Sequence, residues 1–240
     1  MEPERADTNP SSPPKALTHV LESKEPRRRS FTDYRRFIQH HYDGLPGKLT
    51  AVTGLLTGHE ALAGRLIQPG AFDIQGCKRI LDAGCGNGRY SRFLLRHADP
   101  DALITAFDYS QGMLQRARAR LRTDRILQVA ADLTRLPYAN ASFDAVVCGW
   151  VLEHLPDPRP GLAELARVLR PGGKLLLLAT EDTFNGAMCS RMWHCRTYNR
   201  AELRKVCSEC GLHWLRELWF SRLHAWLRLG GIIVEMRKGG

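Results

Sequence analysis

Short apolar runs alternate with amphipathic stretches between residues 79 and 180. Apolar runs of this length are typical of strands buried on both faces of a sheet, and the stretches between them have apolar residues at helical spacing. The predicted strands are centred on Ile80 and Leu81 and on residues 102–107, 126–130, 142–148 and 174–179. Helices are predicted at 89–95, from residue 110 and at 162–170. Strands that alternate with helices in this way predict an α/β fold with a mostly parallel sheet.

The pattern is weaker on either side of this region. After residue 181 it predicts a helix at 198–210 and strands at 212–220 and 231–236, with 182–197 as an insertion. Residues 1–30 are proline-rich and polar without an apolar period, which predicts a disordered tail. Residues 31–68 return to helical spacing, so a helical cap over 31–78 is expected to precede the first strand. The interpretation is one folded domain over 31–240, with its core at 79–180 and a C-terminal part at 181–240.

Composition narrows the class of protein. The 240 residues carry a formal net charge of +10, and half of that excess lies in 182–240, which favours polyanions or an anionic membrane surface as partners. Solvated arginines explain the same excess, so membrane contact stays open and no nucleic-acid partner is indicated. The apolar runs are too short to span a bilayer, and no signal peptide is evident. Seven scattered cysteines favour reduced thiols and a cytoplasmic location, and the Cys207/Cys210 pair alone does not predict a metal site.

A glycine-rich turn follows the first predicted strand. Gly84, Gly86 and Gly88 alternate after Asp82, and a strand, a glycine turn and a helix together form a cradle for a nucleotide-type cofactor. Dinucleotide folds place a pyrophosphate at the start of this helix, where the carboxylate of Asp82 would repel it. A ligand with an ammonium and a sulfonium would instead be attracted by that carboxylate.

Three segments carry a resemblance to a known family. Leu81-Asp82-Ala83-Gly84-Cys85-Gly86-Asn87-Gly88 resembles the first motif of class I S-adenosylmethionine-dependent methyltransferases of the small-molecule, Methyltransf_11-like type. The stretch from Asp108 to Leu114 resembles the D-x-S-x-x-M-L pattern of that family. The block L-R-P-G-G-x-L-L at 169–176 is similar to its last shared motif.

The resemblance implies a Rossmann-like, seven-stranded, mostly parallel sheet with an antiparallel last strand, and helices on both faces. It also implies S-adenosylmethionine as cofactor, a small methyl acceptor whose hydrophobic character stays open, and an acceptor pocket under the 182–197 insertion. His154 is the best-placed base for an oxygen acceptor, together with Glu153, although a purely structural role for His154 fits the sequence equally well. The cofactor-binding residues expected from the resemblance are Asp82, Gly84, Cys85, Gly86, Asn87, Gly88, Asp108, Tyr109, Met113, Ala131, Asp132, Leu133, Gly149 and Trp150.

Other functions stay open at this stage. A non-catalytic module of the same fold could bind RNA, lipid or a protein through its basic C-terminal part. An NAD-dependent oxidoreductase would require a pyrophosphate beside Asp82, and an RNA methyltransferase would have no separate RNA-binding domain visible in the sequence. The oligomeric state and the acceptor atom are not indicated.

Overall fold

A seven-stranded sheet forms the centre of the molecule. The computed structural model describes residues 59–193, 195–227 and 230–240, so the predicted tail and most of the predicted helical cap lie outside the described residues. The strands are β1 (Arg79–Ala83), β2 (Leu103–Asp108), β3 (Ile126–Ala130), β4 (Phe143–Gly149), β5 (Leu169–Ala179), β6 (Leu212–Glu217) and β7 (Ile232–Lys238). Their order across the sheet is β3-β2-β1-β4-β5-β7-β6.

Strand β7 is antiparallel to both of its neighbours in this sheet. Strands β1 to β5 pair in parallel, and β7 is antiparallel to both β5 and β6. The predicted mostly parallel sheet with an antiparallel last strand is therefore confirmed. A dinucleotide-binding sheet of order 3-2-1-4-5-6 has no antiparallel strand between its fifth and sixth strands, so the topology disfavours the oxidoreductase.

Helices cover both faces of the sheet, as predicted. The described helices are α1 (His59–Gly64), α2 (Arg89–His97), α3 (Gln111–Leu121), α4 (Arg159–Val168), α5 (Phe184–Trp193), α6 (Arg200–Glu209) and α7 (Arg222–Leu227). On one face, α1, α2 and α3 pack with Ile80, Val147 and Leu176, and on the other, α4 and α6 pack with Leu81 and Val146. Neighbouring residues of a strand thus point into opposite cores, which explains why the strand sequences are continuous apolar runs.

Two element boundaries differ from those predicted from the sequence, because pairing with another strand determines them. The helix expected to continue to Arg170 ends at Val168, because Leu169 already pairs with Phe143 of β4 and begins β5. The strand expected to reach Phe220 ends at Glu217, where its pairing with β7 stops at Val234. In both cases the partner strand sets the boundary.

Parallel pairing brings the carboxyl ends of β1 to β5 to one edge of the sheet, and in open α/β sheets ligands bind outside this edge. Every residue predicted from the sequence to bind a cofactor lies in the last two residues of β1, β2 or β4, or in the segments that follow β1, β2, β3 and β4. In the part of the chain that the structure describes, no helix is both long and apolar enough to cross a membrane.

Candidate cofactor site

The glycine turn after β1 has the backbone conformation that its sequence requires. Gly84, Gly86 and Gly88 have φ values of +68°, +54° and +80°, which L residues with a side chain rarely adopt. A Cβ atom on Gly84 would also lie only 2.3 Å from the Cγ2 atom of Val151. The first glycine is thus needed both for the turn and for close packing against the segment after β4.

Asp82 lies fully buried beneath this turn. Its Oδ2 atom accepts a hydrogen bond of 2.5 Å from the Ser91 hydroxyl, whereas its Oδ1 atom is buried without a hydrogen-bond partner. Burial raises the pKa of this carboxyl to about 7, and the nearby charge of Asp108 acts in the same direction. A buried carboxylate with an unsatisfied oxygen is a site prepared for a cationic group.

Asp108 ends β2 and faces the turn. Its Oδ2 atom accepts from the backbone N–H of Gly86 at 2.8 Å, and its Oδ1 atom accepts from the N–H of Ser110 at 2.8 Å. These two backbone bonds, one to each oxygen, fix the orientation of the Asp108 carboxylate beside the turn. The turn is fastened to β2 by a further bond of 2.8 Å, from the N–H of Cys85 to the carbonyl of Phe107.

The start of α3 covers the turn from one side. The Ser110 hydroxyl caps this helix by accepting from the N–H of Met113 at 3.0 Å. The buried Met113 side chain reaches the turn, since a Cβ atom on Gly86 would lie 3.4 Å from its Cε atom. Tyr109, next to Asp108, remains partly exposed, and Asn87 accepts from Arg120 at 3.3 Å.

The segment after β3 is held against β2. The N–H of Ala131 donates to the carbonyl of Asp108 at 3.1 Å. The Oδ1 atom of Asp132 accepts from both the N–H and the hydroxyl of Thr134 at 2.9 Å, while Leu133 is buried in the core. These contacts fix a half-buried carboxylate and a turn of backbone beside Asp108.

Gly149 and Trp150 end β4 next to the turn. A Cβ atom on Gly149 would lie 2.4 Å from the Tyr90 ring, so glycine is required for α2 to approach the strand. Trp150 has a φ of +62°, a sparsely populated conformation for a bulky residue that often marks functional sites. The backbone N–H of Trp150 donates to the carbonyl of Leu178 at 3.0 Å, and this bond holds the strained residue against β5.

Glu153 and His154 follow in a short 3-10 helix at Leu152–His154. The buried Glu153 carboxylate accepts from the N–H of Thr180 at 3.0 Å and from its hydroxyl at 2.9 Å. Burial raises the pKa of Glu153 to about 7. The Glu153 carboxylate is therefore directed into the protein towards the end of β5, whereas the neighbouring His154 is only half-buried.

The structure thus brings the predicted cofactor residues together at the carboxyl ends of four adjacent strands. The sequence analysis missed the partners of the two buried acids, Ser91 and Thr180, and the side chains of Tyr90 and Val151 that press on Gly149 and Gly84. Ser91 lies two residues into α2, where a polar residue on the buried side of an amphipathic helix was the only available signal.

A groove of about 420 Å³ lies apart from these residues. Arg200 crosses it and forms ion pairs with Glu181 at 2.8 Å and with Glu217 at 2.9 Å. Trp214 and Arg204 also line the groove. The positive charge of Arg200 is already matched by these carboxylates, and none of the predicted cofactor residues lines the groove.

Comparison with known proteins identifies a family that this part of the chain resembles. Residues 81–177 match the family described as a methyltransferase domain. Over these residues the chain is similar to methyltransferase domains. The match begins inside β1 and ends inside β5, so it contains the glycine turn, Asp108 and the segments after β3 and β4.

Relatives and solved structures resemble the methyltransferase domain over different lengths. Malonyl-[acyl-carrier protein] O-methyltransferase of Hahella chejuensis is 35% identical over 186 residues, which are 72% of this chain and 64% of the relative. Demethylmenaquinone methyltransferase of Clavibacter sepedonicus is 45% identical over 101 residues, or 42% of this chain and 40% of the relative. The chain thus spans less than two thirds of either relative. Magnesium protoporphyrin IX methyltransferase of Synechocystis, solved with bound SAM, shares the fold with a TM-score of 0.64 and 18% identity over 86% of this chain and 97% of its own.

Proposed function

We propose that the protein transfers a methyl group from S-adenosylmethionine to a small, apolar molecule. The observation that carries this proposal is Asp82, a wholly buried carboxylate with one oxygen bonded to Ser91 and the other without a partner. Its negative charge suits the ammonium and sulfonium of this cofactor and opposes a pyrophosphate. The turn above it has the left-handed glycines that allow close approach of a ligand.

The other predicted residues fit the remaining parts of the cofactor. Asp108, held by two backbone N–H groups, would accept hydrogen bonds from the ribose hydroxyls. Tyr109 and Met113 would contact the adenine, and Asp132 would accept from its amino group, with the backbone of Ala131 and Leu133 beside the ring. Gly149 and the strained Trp150 would border the reactive methyl group.

The cofactor supplies an electrophilic methyl group on a good leaving group, so the protein has mainly to position the acceptor and exclude water. His154 is half-buried at the end of β4, and its imidazole would take the proton from an oxygen acceptor. Glu153 would act on the reaction indirectly. Its carboxylate, bonded to Thr180, fixes the short helix that carries His154 relative to β5.

Two further observations support the choice of acceptor and location. Demethylmenaquinone methyltransferase, whose name gives an apolar quinone as acceptor, is among the relatives named above, and the insertion helix α5 presents the exposed apolar side chains of Phe184 and Met188. We therefore favour an apolar acceptor that enters below α5. All seven cysteines are unpaired, which favours a reducing compartment such as the cytoplasm.

Calorimetric titration with S-adenosylhomocysteine tests the proposal, with NAD titrated in parallel. Micromolar binding of S-adenosylhomocysteine and no binding of NAD are expected. Asp108→Ala should weaken binding about 10- to 100-fold, because hydrogen bonds to a charged acceptor are lost. Asp101→Ala is the matched control, since Asp101 is an exposed acid that pairs with Lys78 at 2.7 Å. Binding of NAD alone, or equal affinity in both variants, would overturn the assignment.

A further inference from the structure

Helix α7 presents an apolar face to solvent. Leu223, Trp226 and Leu227 are 59%, 79% and 45% exposed, and their spacing places them on one side of the helix. A tryptophan exposed to this extent beside two exposed leucines is unusual on a protein surface without a partner.

The opposite side of α7 is fastened to the protein. The Phe220 ring is buried, and the His224 ring packs edge-on against it with centroids 5.7 Å apart. The Ser221 hydroxyl lies 2.7 Å from the Nδ1 atom of His224 and also accepts from its backbone N–H. Because His224 is held inward, the orientation of the outward residues is fixed.

Helix α7 lies at the same edge of the sheet as the candidate cofactor site. It connects the carboxyl end of β6 with the start of β7, and parallel alignment of β6 with β5 places that end beside the ends of β4 and β5. Gly231, just before β7, lies close to the candidate site, since a Cβ atom on it would be 3.3 Å from the Trp150 ring. The apolar face of α7 therefore lies at the edge of the sheet that carries the candidate cofactor site.

Charge around α7 is positive. Arg222 is exposed at its start, and the sequence continues with Arg228. Residues 182–240 contain ten basic and five acidic side chains, and one of these acids, Glu235, is buried and paired with Arg216 at 2.7 Å. Tryptophan and leucine on one face, with arginine at the flank, is the composition of segments that lie in a membrane interface.

We propose that α7 docks the protein on an anionic membrane surface, with Leu223, Trp226 and Leu227 inserted among the lipids and Arg222 at the headgroups. A helix of six residues offers too little area for a stable protein interface, which requires about 800 Å² on each partner, whereas a small apolar face combined with basic residues is the pairing of signals that gives reversible membrane binding. Docking turns the carboxyl edge towards the bilayer. Resting on the proposed function, this gives a lipid-dissolved acceptor a direct path to the site.

The test is co-sedimentation of the full chain with vesicles of phosphatidylcholine alone or of phosphatidylcholine mixed with phosphatidylglycerol. Binding to the mixed vesicles, weakened by salt, is expected. The double variant Leu223→Ser/Trp226→Ser should partition about tenfold less or worse, because its inserted apolar area is removed. Arg222→Glu should weaken binding to the mixed vesicles alone.

Leu103→Ser is the matched control. Leu103 is a leucine with 68% exposure at the start of β2, on the opposite edge of the sheet, and its substitution should leave vesicle binding unchanged. Thermal unfolding of each variant confirms that the fold is intact, since all these side chains are exposed.

Vesicle binding that is absent, or equal in the double variant and in Leu103→Ser, would overturn the proposal. Loss of self-association in the double variant without any vesicle binding would likewise overturn it and assign the face to a second copy. The vesicle assay contains no cofactor, so its outcome is independent of the titration with S-adenosylhomocysteine. Lipid docking can fail while the methyltransferase assignment stands, and the reverse also holds.

Discussion

Two buried carboxylates near the same edge of the sheet have opposite hydrogen-bonding states. Both oxygens of Glu153 have a donor, from the backbone and the hydroxyl of Thr180. Asp82 has one donor, Ser91, and one oxygen without any. Burial raises the pKa of both groups to about 7, so burial alone does not separate them.

The difference in partners separates their roles. A buried acid with both oxygens bonded holds two elements together, here the end of β4 and the end of β5. A buried acid with an open oxygen stabilises the fold less well than it could, and that deficit is removed when a cation arrives. Glu153 therefore has a structural role, and Asp82 is the acid available to bind a cationic group.

The largest effect is expected at His154, because the hydrogen bonds between Glu153 and Thr180 hold the short helix that carries it. For an oxygen acceptor, His154→Ala should lower kcat about 100-fold or more, because a general base is removed, while affinity for S-adenosylhomocysteine stays unchanged. Turnover under saturating cofactor measures the first quantity and calorimetry the second. His213→Ala, at an exposed position of β6, is the control, and unchanged kcat in both variants would make His154 structural.

Removing Glu153, whose two oxygens both accept hydrogen bonds, should lower the free energy of unfolding more than any substitution of Asp82. Glu153→Ala leaves the buried N–H and hydroxyl of Thr180 without an acceptor, and we expect the free energy of unfolding to fall by about 2–4 kcal/mol. Glu153→Gln retains one acceptor and should lose about half of this. Chemical denaturation measures both variants. A loss under about 0.5 kcal/mol for Glu153→Ala would show that the bonds to Thr180 are not structural.

The open acid predicts a pH dependence of ligand binding. Since the pKa of Asp82 is about 7, the carboxyl is largely protonated below that pH, and a cationic ligand must displace the proton. Affinity for S-adenosylhomocysteine should therefore rise about tenfold between about pH 6 and pH 8 and level off above. Titrations across this range check the slope, and Asp82→Asn should bind weakly with no slope of this origin.

The smallest effect is expected for Asp82→Asn on the free protein. Asparagine can still accept from Ser91, so near about pH 4, where the buried Asp82 carboxyl of the folded protein is protonated and uncharged, the free energy of unfolding should change by less than about 1 kcal/mol. Stability of the native chain should fall as pH rises from about 4 to 7, because the folded state keeps protons that the unfolded state has released. Unfolding curves at several pH values measure this, and the variant should show a shallower fall. A loss comparable to that of Glu153→Ala would erase the distinction between the two acids.

The sequence predicted one half of the molecule better than the other. Strands β1 to β5 carry local signals, namely apolar runs bounded by glycine turns or by Asp108, and their identity as strands of one mostly parallel sheet was confirmed. The end of β6 at Glu217 and the start of β5 at Leu169 depend on pairing with distant strands, which no local pattern reports. Likewise, the bond between Glu153 and Thr180 joins positions 27 residues apart, so no local pattern indicated that this acid faces inward.

The central claim is that Asp82 waits in protonated form for a cationic ligand, and the release of that proton is its most direct test. Calorimetric titration with S-adenosylhomocysteine near about pH 6.5, in two buffers with different ionisation enthalpies, counts the protons exchanged on binding. Since a carboxyl with a pKa of about 7 is about three-quarters protonated at this pH, the account predicts release of up to about three-quarters of a proton by the native chain and none by Asp82→Asn. Binding with no proton released, or equal release by both proteins, would contradict it.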